Sequence, residues 1–396
     1  MNEATESLFA IEKAERLKQL PPYLFVELDR AKQRLEAQGQ DVIDLGVGDP
    51  DLPTPAHVIA RLKTSVDDPA NHRYSFTQGL LPLRQAVAEW YQRRFGVTLD
   101  PATEVLPLLG SKEGLAHLPL ALVNPGEVVL VPDPCYPPYR SGTILAGGTV
   151  ASMPLLAENQ FLPDFGAISQ RAARAAKLMF LNYPNNPTAA VATEDCFRDA
   201  IQLAKEYHII IAHDAAYSEL AFDGTKPISF LQVPDAKEVG VEFHSISKTY
   251  NMTGWRVGWV CGNATVIAAL NQLKTNLDSG IFQPVQFAAI EALQGDQQPL
   301  ADAVATYQQR RDLVVEGLAK AGWGIPKPSA TFYLWSPVPG GGSSMAFATR
   351  ALEEARVVIT PGAGFGEHGE GFVRLSLTVP AAQLQEAVDR LSKILS

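Results

Sequence analysis

The chain has 396 residues, 33 basic against 43 acidic for a formal charge of −10, and is 46% hydrophobic and 19% charged. This is ordinary globular composition, long enough for roughly two to three domains at ~150 residues each. The acidic balance argues against a nucleic-acid partner, whose phosphates demand a basic footprint.

The first stretch, MNEATESLFAIEKAERLKQL, scatters Glu and Lys among its apolar residues and lacks the apolar core of a signal peptide. No run approaches the ~18 apolar residues of a membrane helix. Cys135, Cys196 and Cys261 are odd in number and widely spaced, which suits neither a disulfide framework nor a Cys-x-x-Cys metal pair. A soluble, cytoplasmic protein without a metal is expected. The segment to about Leu45 has a helical, amphipathic pattern and is expected to pack with the C-terminal part of the chain.

From there a local grammar recurs: a short apolar run, a polar tip, then a helical pattern. EVLPLLGSKEGL, EVVLVPDPCYPPY, KLMFLNYPNNPT, HIIIAHDAAYSEL and VEFHSISKTYN all follow it. Continuous apolar runs such as Ile209–Ala212 suit strands covered on both faces, while EDCFRDAIQLAKEY (194–207) has helical spacing. The alternation predicts an α/β domain with a mostly parallel sheet. Ligands of such sheets sit beyond the carboxyl ends of the strands, so the tips Gly110–Lys112, Tyr136, Asn186, Asp214, Tyr217, Ser245 and Lys248 are expected to share one crevice.

After about residue 290 the grammar changes. A helical pattern over 300–321 leads into FYLWSPV, a second helix, RVVITPG and FVRLSL, which predicts a smaller α+β unit. GFGEHG at 364–369 is a literal G-x-G-x-x-G, but the dinucleotide fingerprint needs a helix to open at the glycines, and EGFVRLSL reads as a strand. A glycine-rich turn is favoured, with no bound nicotinamide.

The tips have chemistry in common. Ser111 and the amides of GSKEGL open a helix, where unpaired donors favour an anion. Ser245 and Ser247 add hydroxyls, and Arg256 can present a planar fork to phosphate oxygens. Singly, the serines read as loop caps, Arg256 as a surface ion-pair partner and Lys248 as an exposed lysine; together they favour a phosphate ligand. An amine such as Lys248 becomes a nucleophile where its surroundings depress its pKa. A carboxylate ending a buried strand, as Asp214 does, must be paired, by a cationic ring nitrogen or by capping the next helix. His213 and His244 have no metal-ligand spacing and read as structural.

These motifs carry a resemblance. NNPT at 185–188, D-x-x-Y at 214–217, S-x-S-K at 245–248 and G-W-R-x-G at 254–258 occur in the order of the class I/II aminotransferases, and nearly the whole chain is similar to that family. The resemblance implies the pyridoxal-phosphate fold type I: a large domain at 46–290 with a seven-stranded, mostly parallel sheet flanked by helices, and a smaller α+β domain made of 1–45 and 291–396. It implies that Lys248 bonds to pyridoxal 5′-phosphate and moves the substrate's α-proton, that Asp214 pairs with the pyridine nitrogen, and that Tyr217 and Asn186 bond the ring's phenolic oxygen. Tyr136 would stack on the ring. Ser111, Lys112, Ser245, Ser247 and Arg256 would surround the phosphate, with Tyr74 reaching it from the partner subunit of a homodimer. Arg374 matches the arginine that grips the substrate α-carboxylate, near Gly48 and Asn186; without the resemblance it reads equally well as a solvated strand-edge residue. Family members often carry glycine where Ala189 stands; if that position needs a positive φ, alanine costs about 1 kcal/mol.

Within the family, RLKQLPPYLF, IDLGVGDPDLPTP, RYSFTQG and LGSKEGL are similar to the enzymes that exchange an amino group between LL-diaminopimelate and 2-oxoglutarate in lysine synthesis. Alanine-, aspartate- and methionine-type transaminases are the alternative, and β-lyases of the same fold a more distant one. Regulators of the same fold carry a DNA-binding domain, for which residues 1–45 are too short and insufficiently basic.

Overall fold

The computed structural model describes residues 11–20, 24–75 and 78–395. The strands among them are β1 (Ile43–Asp44), β2 (Val105–Leu108), β3 (Val128–Asp133), β4 (Thr149–Pro154), β5 (Ala176–Asn182), β6 (Ile210–Asp214), β7 (Gly240–Ser245), β8 (Gly258–Gly262), β9 (Tyr333–Pro337), β10 (Val357–Val358), β11 (Thr360–Pro361) and β12 (Phe372–Ser376). Seven of them form one sheet in the order β2-β8-β7-β6-β5-β3-β4. All its neighbours are parallel except β8, which runs against β7 and β2. The mostly parallel, seven-stranded expectation is borne out.

β6 and β7 are buried along nearly their whole length, because helices cover both faces. On one face Leu115 and Leu118 of helix Ser111–Leu122, with Ile267 and Leu270 of helix Ala264–Lys274, meet Phe180, Phe243 and Val260. On the other, Trp90, Phe197 and Ala288 come from helices Leu81–Phe95, Glu194–Tyr207 and Gln283–Gln294. Each fully buried Leu or Phe contributes about 1.5–3 kcal/mol. The helix Glu194–Tyr207 shows how local sequence sets these elements. Thr193 caps it by accepting from the Cys196 amide at 3.2 Å, Cys196, Phe197, Ala200, Ile201 and Ala204 form its buried stripe, and His208 at φ 58° ends it.

A second core lies around the three-stranded antiparallel sheet β11-β12-β9 and the helices Gln298–Lys320, Ser344–Ala355 and Ala381–Leu395, with Leu318, Phe347, Val373, Leu375 and Leu384 inside it. β1 joins this unit by pairing parallel to β10, Ile43 opposite Val357. Near it, Arg390 donates to the Asp41 carboxylate at 2.6 Å and Arg356 bonds Gln40. The helical reading of the chain's start is met by Glu15–Lys18 and Leu24–Ala37; its parts at 1–10 and 21–23 lie outside the described residues.

RVVITPG, expected as one strand, is two: Val357–Val358 serves β1, and Thr360–Pro361 serves β12, with buried Ile359 between them. Pro361 is tolerated because β11 is an edge strand. The glycine run after it forms two short 3₁₀ turns, Gly362–Phe365 and Glu367–Gly369, and the chain then enters β12, so no helix opens there. No helix among the described residues is long and apolar enough to cross a membrane.

Candidate active site

The carboxyl ends of β2, β3, β5, β6 and β7 open on one cleft of about 510 Å³. Its lining includes Gly48, Ser111, Lys112, Tyr136, Asn186, Asp214, Tyr217, Ser245, Ser247, Lys248, Arg256 and Arg374; of the residues the sequence nominated, Gly110 lies beside it against Arg256 and Tyr74 stands apart. Tyr74 is 73% exposed and stands outside this cleft.

At one end of the cleft, Ser111 starts its helix and Ser245 closes β7, its hydroxyl accepting from the Ser247 amide at 3.1 Å. Arg256 takes a left-handed backbone, φ 57°, and its guanidinium donates to Thr253 O at 2.8 Å and Leu109 O at 3.4 Å. The guanidinium lies so close to Gly110 that a Cβ there would stand 2.3 Å from Nη2. A glycine is required for that approach, and the result is an arginine-lined seat at a helix N-terminus, suited to an anion.

Lys248 follows β7 in the short helix Ile246–Thr249, and its amine donates to Gly48 O at 2.6 Å. Burial pushes the amine down to about 8, helped by the charges of Arg374 and Arg256 and opposed by Asp49. Asp214, 4% exposed at the tip of β6, is pushed up by burial. Two donors counter that push: the Tyr139 hydroxyl at 2.8 Å from Oδ2, and the Ala216 amide at 3.3 Å from Oδ1. Asn182, paired in register with Asp214, donates to its carbonyl at 2.7 Å and accepts from the Asn186 amide at 2.8 Å, so one asparagine positions both.

Arg374 is 2% exposed, because β12 is the middle strand of its sheet; the reading of it as a solvated strand-edge residue does not hold. It donates to Asn186 Oδ1 at 2.8 Å and Gly46 O at 2.6 Å, and its guanidinium lies 4.1 Å from the ring centre of Tyr333 and 4.7 Å from that of Phe365. Gly48 has a steric role that sequence reasoning did not supply: a Cβ there would fall 1.9 Å from the Tyr333 hydroxyl. Ala189 does adopt the strained backbone, φ 60°, in the turn that follows Asn186.

Tyr139, Asn182, Tyr333 and Phe365 were missed. Tyr139 stood three residues beyond Tyr136 in CYPPY, and Asn182 ended the run KLMFLN, so both sat at tips already under suspicion. Tyr333 and Phe365 come from the second unit and carried no comparable signal. His213 and His244 are buried, and both approach the Glu242 carboxylate, His213 Nδ1 at 2.9 Å and His244 Nε2 at 3.6 Å.

A depressed amine and a buried carboxylate lining one cleft, with an arginine-lined anion seat at one end, suit the needs of pyridoxal 5′-phosphate: a covalent anchor, a partner for its ring nitrogen and a hold on its phosphate. Fold and cleft together define the fold type I transferases that depend on this cofactor. The sequence pattern of the family described as aminotransferase class I and II matches residues 40–391. A protein of Moorella thermoacetica named LL-diaminopimelate aminotransferase is 54% identical over 97% of this chain and 99% of its own length. One of the same name from Syntrophobacter fumaroxidans is 56% identical over 97% of this chain and 99% of its own. Among solved structures, substrate-bound BacF from Bacillus subtilis superimposes with a TM-score of 0.94 at 40% identity, covering 97% of this chain and 98% of that one. An aspartate aminotransferase from Thermotoga maritima does so with 0.89 at 31%, covering 97% and 100%. The chain belongs to the class I and II aminotransferases; it is a pyridoxal-phosphate-dependent transferase acting on amino acids and keto acids.

Proposed function

We propose that this enzyme moves an amino group between LL-diaminopimelate and 2-oxoglutarate, as a cytoplasmic homodimer. The substrate assignment is supported by relatives of that name at 54% and 56% identity across almost the full length of both chains. The single observation that carries the chemistry is the convergence in one cleft of the Lys248 amine, depressed to about 8, with Asp214, Arg256 and Arg374.

When bound, pyridoxal 5′-phosphate supplies an electron sink for the charge left at the substrate's α-carbon. Ser111, Lys112, Ser245, Ser247 and Arg256 would hold its phosphate, Tyr136 its ring face, and Lys248 Nζ its reactive carbon. Asp214, whose ionised form the Tyr139 and Ala216 donors favour, would pair with the ring nitrogen and keep it protonated. Tyr217 and Asn186, which line the same cleft, would bond the ring oxygen. Burial and the neighbouring Tyr333 push the Tyr217 phenol well above its ordinary range, so it stays a donor at neutral pH. The paired N–H groups of Arg374 match the two oxygens of an α-carboxylate, and Asn186 orients them. Lys248 Nζ would also be the base that takes the α-proton; an amine that loses its own proton at about 8 is suited to the task near neutrality.

The dimer reading rests on Tyr74, 73% exposed next to a segment that includes Phe282, itself 48% exposed; the Tyr74 carbonyl accepts from Gln283 at 3.4 Å. In a dimer, Tyr74 would complete the neighbouring phosphate site. The division into 46–290 and 1–45 with 291–396 is part of the same reading, as is the cytoplasm, where Cys135, Cys196 and Cys261, all free and buried, would stay reduced. In the test, LL-diaminopimelate bleaches the visible absorbance of the holoenzyme, and 2-oxoglutarate restores it. No response to that donor, with fast turnover of alanine, would move the assignment to an alanine-type enzyme. Pyruvate and ammonia released with no keto-acid acceptor would make it a lyase.

A further inference from the structure

Tyr333 stands where the two ends of the cleft meet. It opens β9 and is 3% exposed. Its hydroxyl is 3.0 Å from that of Tyr217, their rings cross at 67° with centres 5.5 Å apart, and its ring face lies 4.1 Å from the Arg374 guanidinium. The backbone fixes this meeting. Thr331 N donates to Leu220 O at 2.7 Å, Phe222 N to Ser329 O at 2.8 Å, and Tyr333 N to Thr331 Oγ1 at 3.1 Å, so the segments bearing the two phenols are joined directly. The bare α-carbon of Gly48 gives the hydroxyl its room.

We propose that Tyr333 is a positioning residue that couples the carboxylate-gripping guanidinium of Arg374 to the hydroxyl of Tyr217 at the cofactor ring. The inference rests on the reading above that Tyr217 donates to the ring oxygen and Arg374 binds the α-carboxylate. A phenol has one proton and two lone pairs. With the Tyr217 proton directed at the ring oxygen, the Tyr333 hydroxyl is the donor within the pair. Donors in series polarise one another, strengthening the terminal bond by roughly 10–30% and favouring negative charge on the oxygen that receives it. The same ring offers its face to a desolvated guanidinium and, with Asn186 Oδ1, fixes the plane in which Arg374 meets a carboxylate. One side chain therefore touches both recognition events.

The test uses the holoenzyme and three variants, Y217F, Y333F and Y333L. Removing a donor makes the ring oxygen more basic, so the pH midpoint of the cofactor's visible absorbance moves upward. Y217F is expected to give the larger shift and Y333F one of about 0.3 pH unit in the same direction. Y333L, which also loses the stacked face, is expected to raise the KM for amino-acid donors about tenfold, with kcat changed less; Y333F moves KM less than Y333L does. A merely structural Tyr333 would lower the melting temperature and shift neither the midpoint nor the balance of KM against kcat. A shift in Y217F with none in Y333F overturns the inference alone, as does a KM in Y333L equal to that of the wild type. An unmoved midpoint in Y217F overturns the site reading and the inference with it. Should Y333L fail to fold, Y333F, which differs from the wild type by one oxygen, decides through the midpoint.

Discussion

Replacing Tyr139 by phenylalanine deletes one oxygen beside Asp214 and nothing else. The Tyr139 ring is fully buried and stacked on Phe180 at 4.8 Å and 13°, an arrangement phenylalanine preserves, so no cavity opens. What disappears is the 2.8 Å hydrogen bond to Asp214 Oδ2, leaving the Ala216 amide at 3.3 Å as the carboxylate's remaining donor. A buried hydrogen bond to a charged group is worth about 1.5–3 kcal/mol, and the Tyr139 bond is what most opposes burial, so without it the Asp214 carboxyl, already raised, should rise further. The sign follows from linkage. A carboxyl raised in the folded state favours folding only while protonated, and that contribution is lost as pH climbs through its folded value. Y139F should therefore be less stable than wild type by about 2 kcal/mol at pH 8, with the gap closing on acidification once Asp214 is protonated in both proteins. Urea denaturation of the two apoenzymes at one protein concentration, from pH 8 down into the acid range, measures it. A gap of the same size at every pH would mean that the lost oxygen acts through packing, and would refute this account of Asp214.

In the apoenzyme, acylation of Lys248 should show a pH midpoint of about 8, set first by burial and then by Arg374 and Arg256; a midpoint near the ordinary 10.5 would refute the depressed amine. Ala189→Gly relieves a left-handed alanine at φ 60° and should stabilise the protein by about 1 kcal/mol in urea; no gain would mean that the turn is unstrained. Glu242 is fully buried and accepts from Tyr91, Ser229, Phe230 N and His213 at 2.6–2.9 Å. Glu242→Gln turns one of those acceptors into a donor facing donors, and should cost about 3 kcal/mol in the same denaturation assay, against near-zero loss if the network is dispensable.

The sheet and most of the cleft could be read from the sequence because each tip paired a chemical group with a strong local pattern. IIIAHD is a buried strand ending in a carboxylate, and SISK a strand end leading into the lysine. Beyond residue 290 that pairing breaks down. Arg374 lies in FVRLSL, whose alternation says strand but not which neighbour lies on each side, so its burial between Tyr333 and Phe365 followed only once β12 was seen to be the central strand. Tyr333 was invisible for a different reason. Its position depends on Gly48 and Tyr217, residues remote in sequence, and no local spacing encodes a contact among the three. RVVITPG misled because an apolar run shows that a segment is buried, without showing that it turns from one sheet to another midway.

The pairing of Ile43 with Val357 ties the beginning of the second unit to a point close to the chain's end. Translation therefore delivers the strands through Gly262, with Asp214, Lys248 and Arg256 on their tips, well before Val357 and then Arg374 leave the ribosome. A nascent chain halted between those points carries Asp214, Lys248 and Arg256 but not Arg374, so under the roles proposed above it would hold the cofactor residues before the residue that meets the substrate carboxylate.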